Sequence, residues 1–443
     1  MEKKKNNGDY EYRRQYRKQR RVRSQITAVI IMLVMLVIVV VAGYLGVTNV
    51  VRLFKEKQEA DRIAIEEAAE EANAEMASVE TPSEEVSEEA SLQTEDEMLL
   101  DIVNTCISEM SIEDKIAGLF IVTPEQLTGT ENVVKAGSAT QESLAAKAVG
   151  GIIYNASNIK SAEQVTEMLS SISTMSKYPI FTVVSEDGSA NGNISSALSL
   201  DTSSSPRTLG QNGDADEISN KGVEIASMLG MYGFNFNLAP VCNFIDSDSA
   251  FGTDVNSSAG NVASFVSGME ETGVTACLKY FPVYGNTSEG AATSEITLDD
   301  FNNGEKLVFK TGIDAGAGAV MLSNISASGI TGDGTPCSLS SVVITDILRN
   351  DMGFNGVIVT GNMTDKAITD SYGADQAAIM AITAGADMIL DPQDYDSAYN
   401  ALLTAVNDGT LSESRIDESL QRILKIKYKS RVDEIANESN AEL

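Results

Sequence analysis

Eight short apolar runs, each followed by a segment of helical period, recur between residues 117 and 391. The first four are "AGLFIVT" (117–123), "GGIIY" (150–154), "PIFTVVS" (179–185) and "FNFNLAP" (234–240). "TACLKYF" (275–281), "AVMLSN" (319–324), "GVIVTGN" (356–362) and "ADMILD" (386–391) complete the set. A continuously apolar strand must be covered on both faces, and strands alternating with helices form a parallel sheet. Eight such units predict a closed (β/α)8 TIM-like barrel, a fold of roughly 250 residues that tolerates insertions. An open doubly wound sheet is the competing arrangement, but no Gly-rich phosphate motif follows any strand, so nothing supports a nucleotide site. Helix starts are expected at the Ser111-x-x-Asp114 box, at Ser161, and at Ser340 or Ser341.

The chain ahead of these units has a different character. Residues 1–24 carry ten Lys or Arg against three acids, a basic tail. Ile26 to Val47 follows, 22 residues without a charge. That length spans a hydrocarbon core of roughly 30 Å as a helix. It exceeds the apolar region of a cleaved signal, about 7–15 residues, and no A-x-A pattern precedes Arg52. A retained signal-anchor within 25–50 is therefore expected, with the N-terminus cytoplasmic and everything after it extracytoplasmic. Residues 51–97 are acidic and poor in large apolar side chains, which reads as a solvated stalk. The barrel is assigned to 98–430 and a short tail to 431–443.

The chain holds 64 acidic and 32 basic side chains and no histidine, a formal charge of -32. That charge argues against nucleic acid as a partner, because phosphate binding needs a basic footprint. Cys106, Cys242, Cys277 and Cys337 show no C-x-x-C spacing. With no histidine to join them, a Cys/His metal site is ruled out, and buried free thiols are expected. No cofactor is implied.

In a barrel of this kind chemistry sits at the C-terminal strand ends. Strand 3 ends in "VSEDGSA", strand 4 in "LAPVCNF", strand 5 in "KYFPVYGNTSEGAA" and strand 7 in "VTGNMTDKAI". With "MSIEDKIAGLFIV", "GGIIYNASNIKSAEQV", "GFNFNLAPV" and "DILRNDMGFNGVIVT", they resemble glycoside hydrolase family 3 over about Met110 to Lys429. The resemblance is to the single-barrel form typical of bacterial β-N-acetylglucosaminidases. The resemblance implies a (β/α)8 fold and O-glycosyl hydrolysis.

The catalytic positions depart from that pattern. The family's strand-7 nucleophile, an Asp after Ser/Thr, falls on Gly361. Its strand-5 loop, K-H-F-P-G-H-G-[DN]-T-x-x-D-x-H, places the acid/base pair on Gly290 and Ala292 and its two earlier histidines on Tyr280 and Tyr284. The sugar-binding Asp and the Arg of D-x-E-G-G-R fall on Ser185 and Ala190, and the Arg of R-x-F-G on Ser249. Lys279 remains, with Asp187 as an acid nearby.

A retaining glycosidase needs a nucleophile and an acid/base, about 5–5.5 Å apart in carboxylate pairs. Glycine and alanine supply neither, so no catalytic residue is assigned. The candidate binding residues are Lys279, Tyr280, Asp187 and Glu289. The expected function is a membrane-anchored scaffold without hydrolytic activity that binds a glycan, cell-wall material or a protein partner. Few aromatics lie near the strand ends and Trp is absent, which disfavours strong glycan stacking. Two alternatives stand beside it. One is an active glycosidase with relocated groups, Glu289 as acid/base and Asp365, Asp187 or Tyr280 as nucleophile. The other is a structural module whose mouth is filled.

Overall fold

The computed structural model describes residues 95–245, 247–285 and 290–441, with side chains as far as 429. Eight parallel strands close into a barrel in sequence order. They are β1 (Phe120–Val122), β2 (Gly151–Ile153), β3 (Phe181–Val184), β4 (Phe236–Asn237), β5 (Thr275–Phe281), β6 (Ala319–Leu322), β7 (Val357–Asn362) and β8 (Met388–Leu390). Closure is made by β1 and β8, with Phe120 opposite Ile389 and Ile121 opposite Leu390. Each strand lies inside the apolar run expected for it, and the closed order excludes the open sheet.

The strands are buried along nearly their whole length, which is why they read as unbroken apolar runs. Helices cover the outside through one apolar stripe each. In Ala162–Met175 the buried residues are Val165, Met168, Leu169 and Ile172, one face of a 3.6-residue period. Its start is fixed by Ser161, whose hydroxyl accepts from the Gln164 amide, and Ser111 caps Ile112–Ala117 in the same way. The expected start at Ser340 or Ser341 differs. The helix begins at Val342, but Ser341 already has helical backbone angles and makes no side-chain cap. The first turn is held instead by the Ile344 amide donating to the Ser340 carbonyl.

Opposite the mouth, an ionic hub ties the closing helix Glu413–Ala441 to the strands. The buried Asp387 carboxylate accepts from Arg349, from Arg422 (2.9 Å), from Ser419 (2.9 Å) and from the Ile358 amide (2.9 Å). Lys115 joins the same helix through Glu413 and Asp417, both at 2.8 Å. The closing helix runs on past residue 430, where a tail was expected, and the helix Glu95–Glu109 takes in residues 95–97 of the expected stalk.

Among the described residues no helix is long and apolar enough to cross a membrane. The span expected at 26–47, the basic tail and the stalk up to residue 94 lie outside the described residues. All four cysteines are free thiols, Cys242, Cys277 and Cys337 buried and Cys106 half-buried. Burial pushes the Cys242 and Cys277 thiols far up and Cys337 to about 12, which leaves them unreactive.

Candidate functional site

Two strand pairs lose register near the C-terminal end of the barrel, β5/β6 between Leu278 and Phe281 and β7/β8 between Val359 and Asn362. Such irregularities re-aim side chains. Here they bracket Lys279–Tyr280 and Thr360–Gly361. Both border one cavity of about 280 Å³ in the mouth, lined by Ser185, Lys279 and Tyr280 from β3 and β5 and by Ser323, Asn324, Gly361, Asn362 and Asp365 from the ends of β6 and β7.

Lys279 is only 6% exposed. Its ammonium donates to Ser185 Oγ at 2.7 Å and lies 5.5 Å from the centre of the Tyr280 ring. Ser185 Oγ in turn donates to the Leu238 carbonyl at 3.3 Å. Among the described residues no carboxylate pairs with Lys279. The Lys279–Tyr280 peptide is cis, and the Tyr280 amide donates to Asn243 Oδ1 at 2.8 Å. Tyr280 and Tyr284 stack at 5.4 Å with a 56° tilt, and Tyr284 forms an exposed rim.

The adjoining wall is built on Asn324, just past the end of β6 and 2% exposed. Its Nδ2 donates to the Asn362 carbonyl (2.6 Å) and to Asp365 Oδ2 (3.1 Å), while its buried Oδ1 has no partner. A Cβ placed on Gly361 would lie 2.5 Å from that Oδ1 and 2.6 Å from Asn324 Cγ. The space of a β7 side chain is thus filled by β6. Asp365 begins the helix Lys366–Thr369 but makes no side-chain cap, and its carboxylate faces Asn324 instead. Behind this wall Asn362 Nδ2 donates to Asp391 at 3.0 Å, and burial pushes Asp391 above the usual carboxylate range.

The other expected residues divide. Lys279 and Tyr280 line the cavity together. Asp187 does not; it is buried behind the mouth, where its Oδ1 accepts from the Ser189 amide at 2.9 Å. Glu289 lies outside the described residues. Glu186, between Ser185 and Asp187, turns inward and organises the loop. Its carboxylate accepts from the amides of Gly188, Ile194 and Ser195 and from Ser195 Oγ, all at 2.8–2.9 Å. Gly192 is needed there, since a Cβ would come within 2.1 Å of Glu186 Oε1. Burial raises the Glu186 carboxyl, and these donors pull it back down. Ser249 sits in a hydroxyl and amide cluster with Ser189 and Asn191, each at 3.2 Å.

Sequence reasoning missed Ser323, Asn324 and Asn362. The signal was present: "SN" and "GN" are the polar ends of apolar runs, where barrel sites are built. Among the described lining residues Asp365 is the one carboxylate. The arrangement can bind and orient a polar ligand.

The chain is similar in sequence to the β-N-acetylglucosaminidase/β-glucosidase of Cellulomonas fimi, at 24% identity over 345 residues, 73% of this chain and 59% of that protein. It therefore spans less than two thirds of that relative's length. The β-hexosaminidase LpqI of Mycobacterium tuberculosis is 26% identical over 269 residues, covering 56% of this chain and 68% of that one. Among solved structures, a glycoside hydrolase family 3 β-N-acetylglucosaminidase from Paenibacillus sp. superposes with a TM-score of 0.65 at 27% identity. That match covers 73% of this chain and 63% of the other. Residues 111–426 match the glycosyl hydrolase family 3 N-terminal domain, more than half of the sequence. The chain belongs to glycosyl hydrolase family 3, through its N-terminal (β/α)8 domain.

Proposed function

We propose that this barrel is a ligand-binding member of the family without hydrolytic activity, held outside the cytoplasm by the span at 26–47. The observation that carries the reading is the packing of Asn324 against Gly361, which closes the position where the resemblance puts the nucleophile. The loss of carboxylate or imidazole at Ser185, Gly290 and Ala292 supports it. The open cavity lined by Lys279 and Tyr280 favours binding over a filled structural module. The ligand on this reading is a glycan or cell-wall fragment, and a protein surface is the other candidate.

The test is hydrolysis of aryl β-N-acetylglucosaminides and β-glucosides by the purified chain, which should not exceed background. Gly361→Asp alone should not restore turnover, because the positions that the resemblance assigns to the acid/base pair are Gly290 and Ala292. A rate abolished by Asp365→Asn or Glu289→Gln would establish relocated catalysis instead. For the topology, protease added to intact cells should release the barrel and leave a membrane-bound fragment containing residues 26–47. Full protection of the barrel would overturn the assignment.

A further inference from the structure

Lys279 is a buried cation with no counter-charge among the described residues. The position that the family resemblance assigns to a sugar-binding Asp is Ser185, so the ammonium meets a hydroxyl at 2.7 Å where a carboxylate would neutralise it. A buried charge is costly unless paired, and a hydroxyl and an aromatic face compensate only part of that cost.

We propose that the mouth is selective for a small carboxylate. Its carboxylate sits on Lys279 and Ser185. The inference rests on the binding reading above and adds the charge of the ligand. A single lysine, acting as a point charge with no arginine fork, suits a monoanion better than a phosphate dianion. The cavity of about 280 Å³ admits one ring rather than an oligosaccharide, at the low end of the roughly 300–1,000 Å³ typical of small-ligand sites.

Calorimetric titration of the full chain in detergent would compare two matched pairs. They are methyl β-glucuronide with methyl β-glucoside, and the 3-O-lactyl ether of N-acetylglucosamine with N-acetylglucosamine itself. Lactate and inorganic phosphate serve as ringless probes. At least one carboxylated sugar is expected to bind ten-fold or more tighter than its neutral match, and more weakly as salt rises. Lys279→Gln should erase the difference, and Ser185→Asp, which supplies an internal counter-ion, should erase it with the lysine still in place. The second variant guards against a folding defect in the first, and thermal melts check both.

Equal binding of a neutral and a charged partner would overturn the charge inference and leave glycan binding standing. Lys279-dependent binding of lactate with no binding of any sugar would support the anion site and sink the glycan reading. Tighter binding of phosphate than of any carboxylate would overturn the inference. So would the absence of binding by every probe, which would also remove the glycan reading.

Discussion

Asn324 Oδ1 lies where a side chain on Gly361 would have to begin, 2.5 Å from the Cβ position. The amide is anchored by the Asn362 carbonyl and Asp365, so it cannot swing away without breaking two hydrogen bonds. The bare position at Gly361 and the β6 amide packed on it are therefore one structural arrangement. Placing an acid at 361 is not a local change.

Gly361→Asp should destabilise the barrel by about 1–3 kcal/mol through overpacking. Asn324→Ala in the same chain should recover part of that loss. Urea denaturation of the two single variants and the double variant would measure the coupling. Additive effects would show that Asn324 does not hold the space.

Glu186→Ala should be among the most destabilising changes at the mouth. It strands three amides and a hydroxyl that all point at one carboxylate. A loss of about 3 kcal/mol or more is expected. Asp187→Ala, which removes one hydrogen bond, should cost about 1 kcal/mol. Chemical denaturation of both variants checks the contrast, and equal losses would refute it.

At the other end of the barrel, Asp387→Asn should cost about 3–5 kcal/mol, because it leaves Arg349 and Arg422 without their shared buried partner. The loss should appear as a lower midpoint of thermal unfolding, with the mouth's ligand affinity unchanged in the surviving folded protein.

Lys427 should give the stability a rising limb at alkaline pH. Its ammonium donates to the Gly150 carbonyl at 2.7 Å and lies 4.7 Å over the Phe181 ring. Burial pushes its pKa down to about 7 from an ordinary 10.5. The unfolded chain keeps that proton up to the ordinary value and the folded chain releases it near 7. Raising the pH across this interval therefore favours folding. Lys427→Met should flatten the rise between pH 7 and 10 in denaturation series. An unchanged slope would mean that the group stays charged in the folded state.

The alternation of apolar runs and helical segments determined the barrel, because a strand apolar along its whole length has to be covered on both faces. The absence of an acid at 361, 290 and 185 was equally legible, since the identity of a side chain needs no geometry. What fills those positions was not. Asn324 reaches Gly361 only because β6 and β7 are neighbours in a closed barrel. Lys279 meets Ser185 across 94 residues of chain only because closure brings β3 and β5 to one mouth. Directions within a single loop were also decided in three dimensions: of three consecutive residues, Ser185 faces the cavity, Glu186 binds the following helix, and Asp187 closes a turn. The reason is physical. Burial depends on local composition, which the chain carries in order. The pairing of polar groups depends on strand register and on shifts of one residue at β5 and β7, which arise only when the whole barrel is packed.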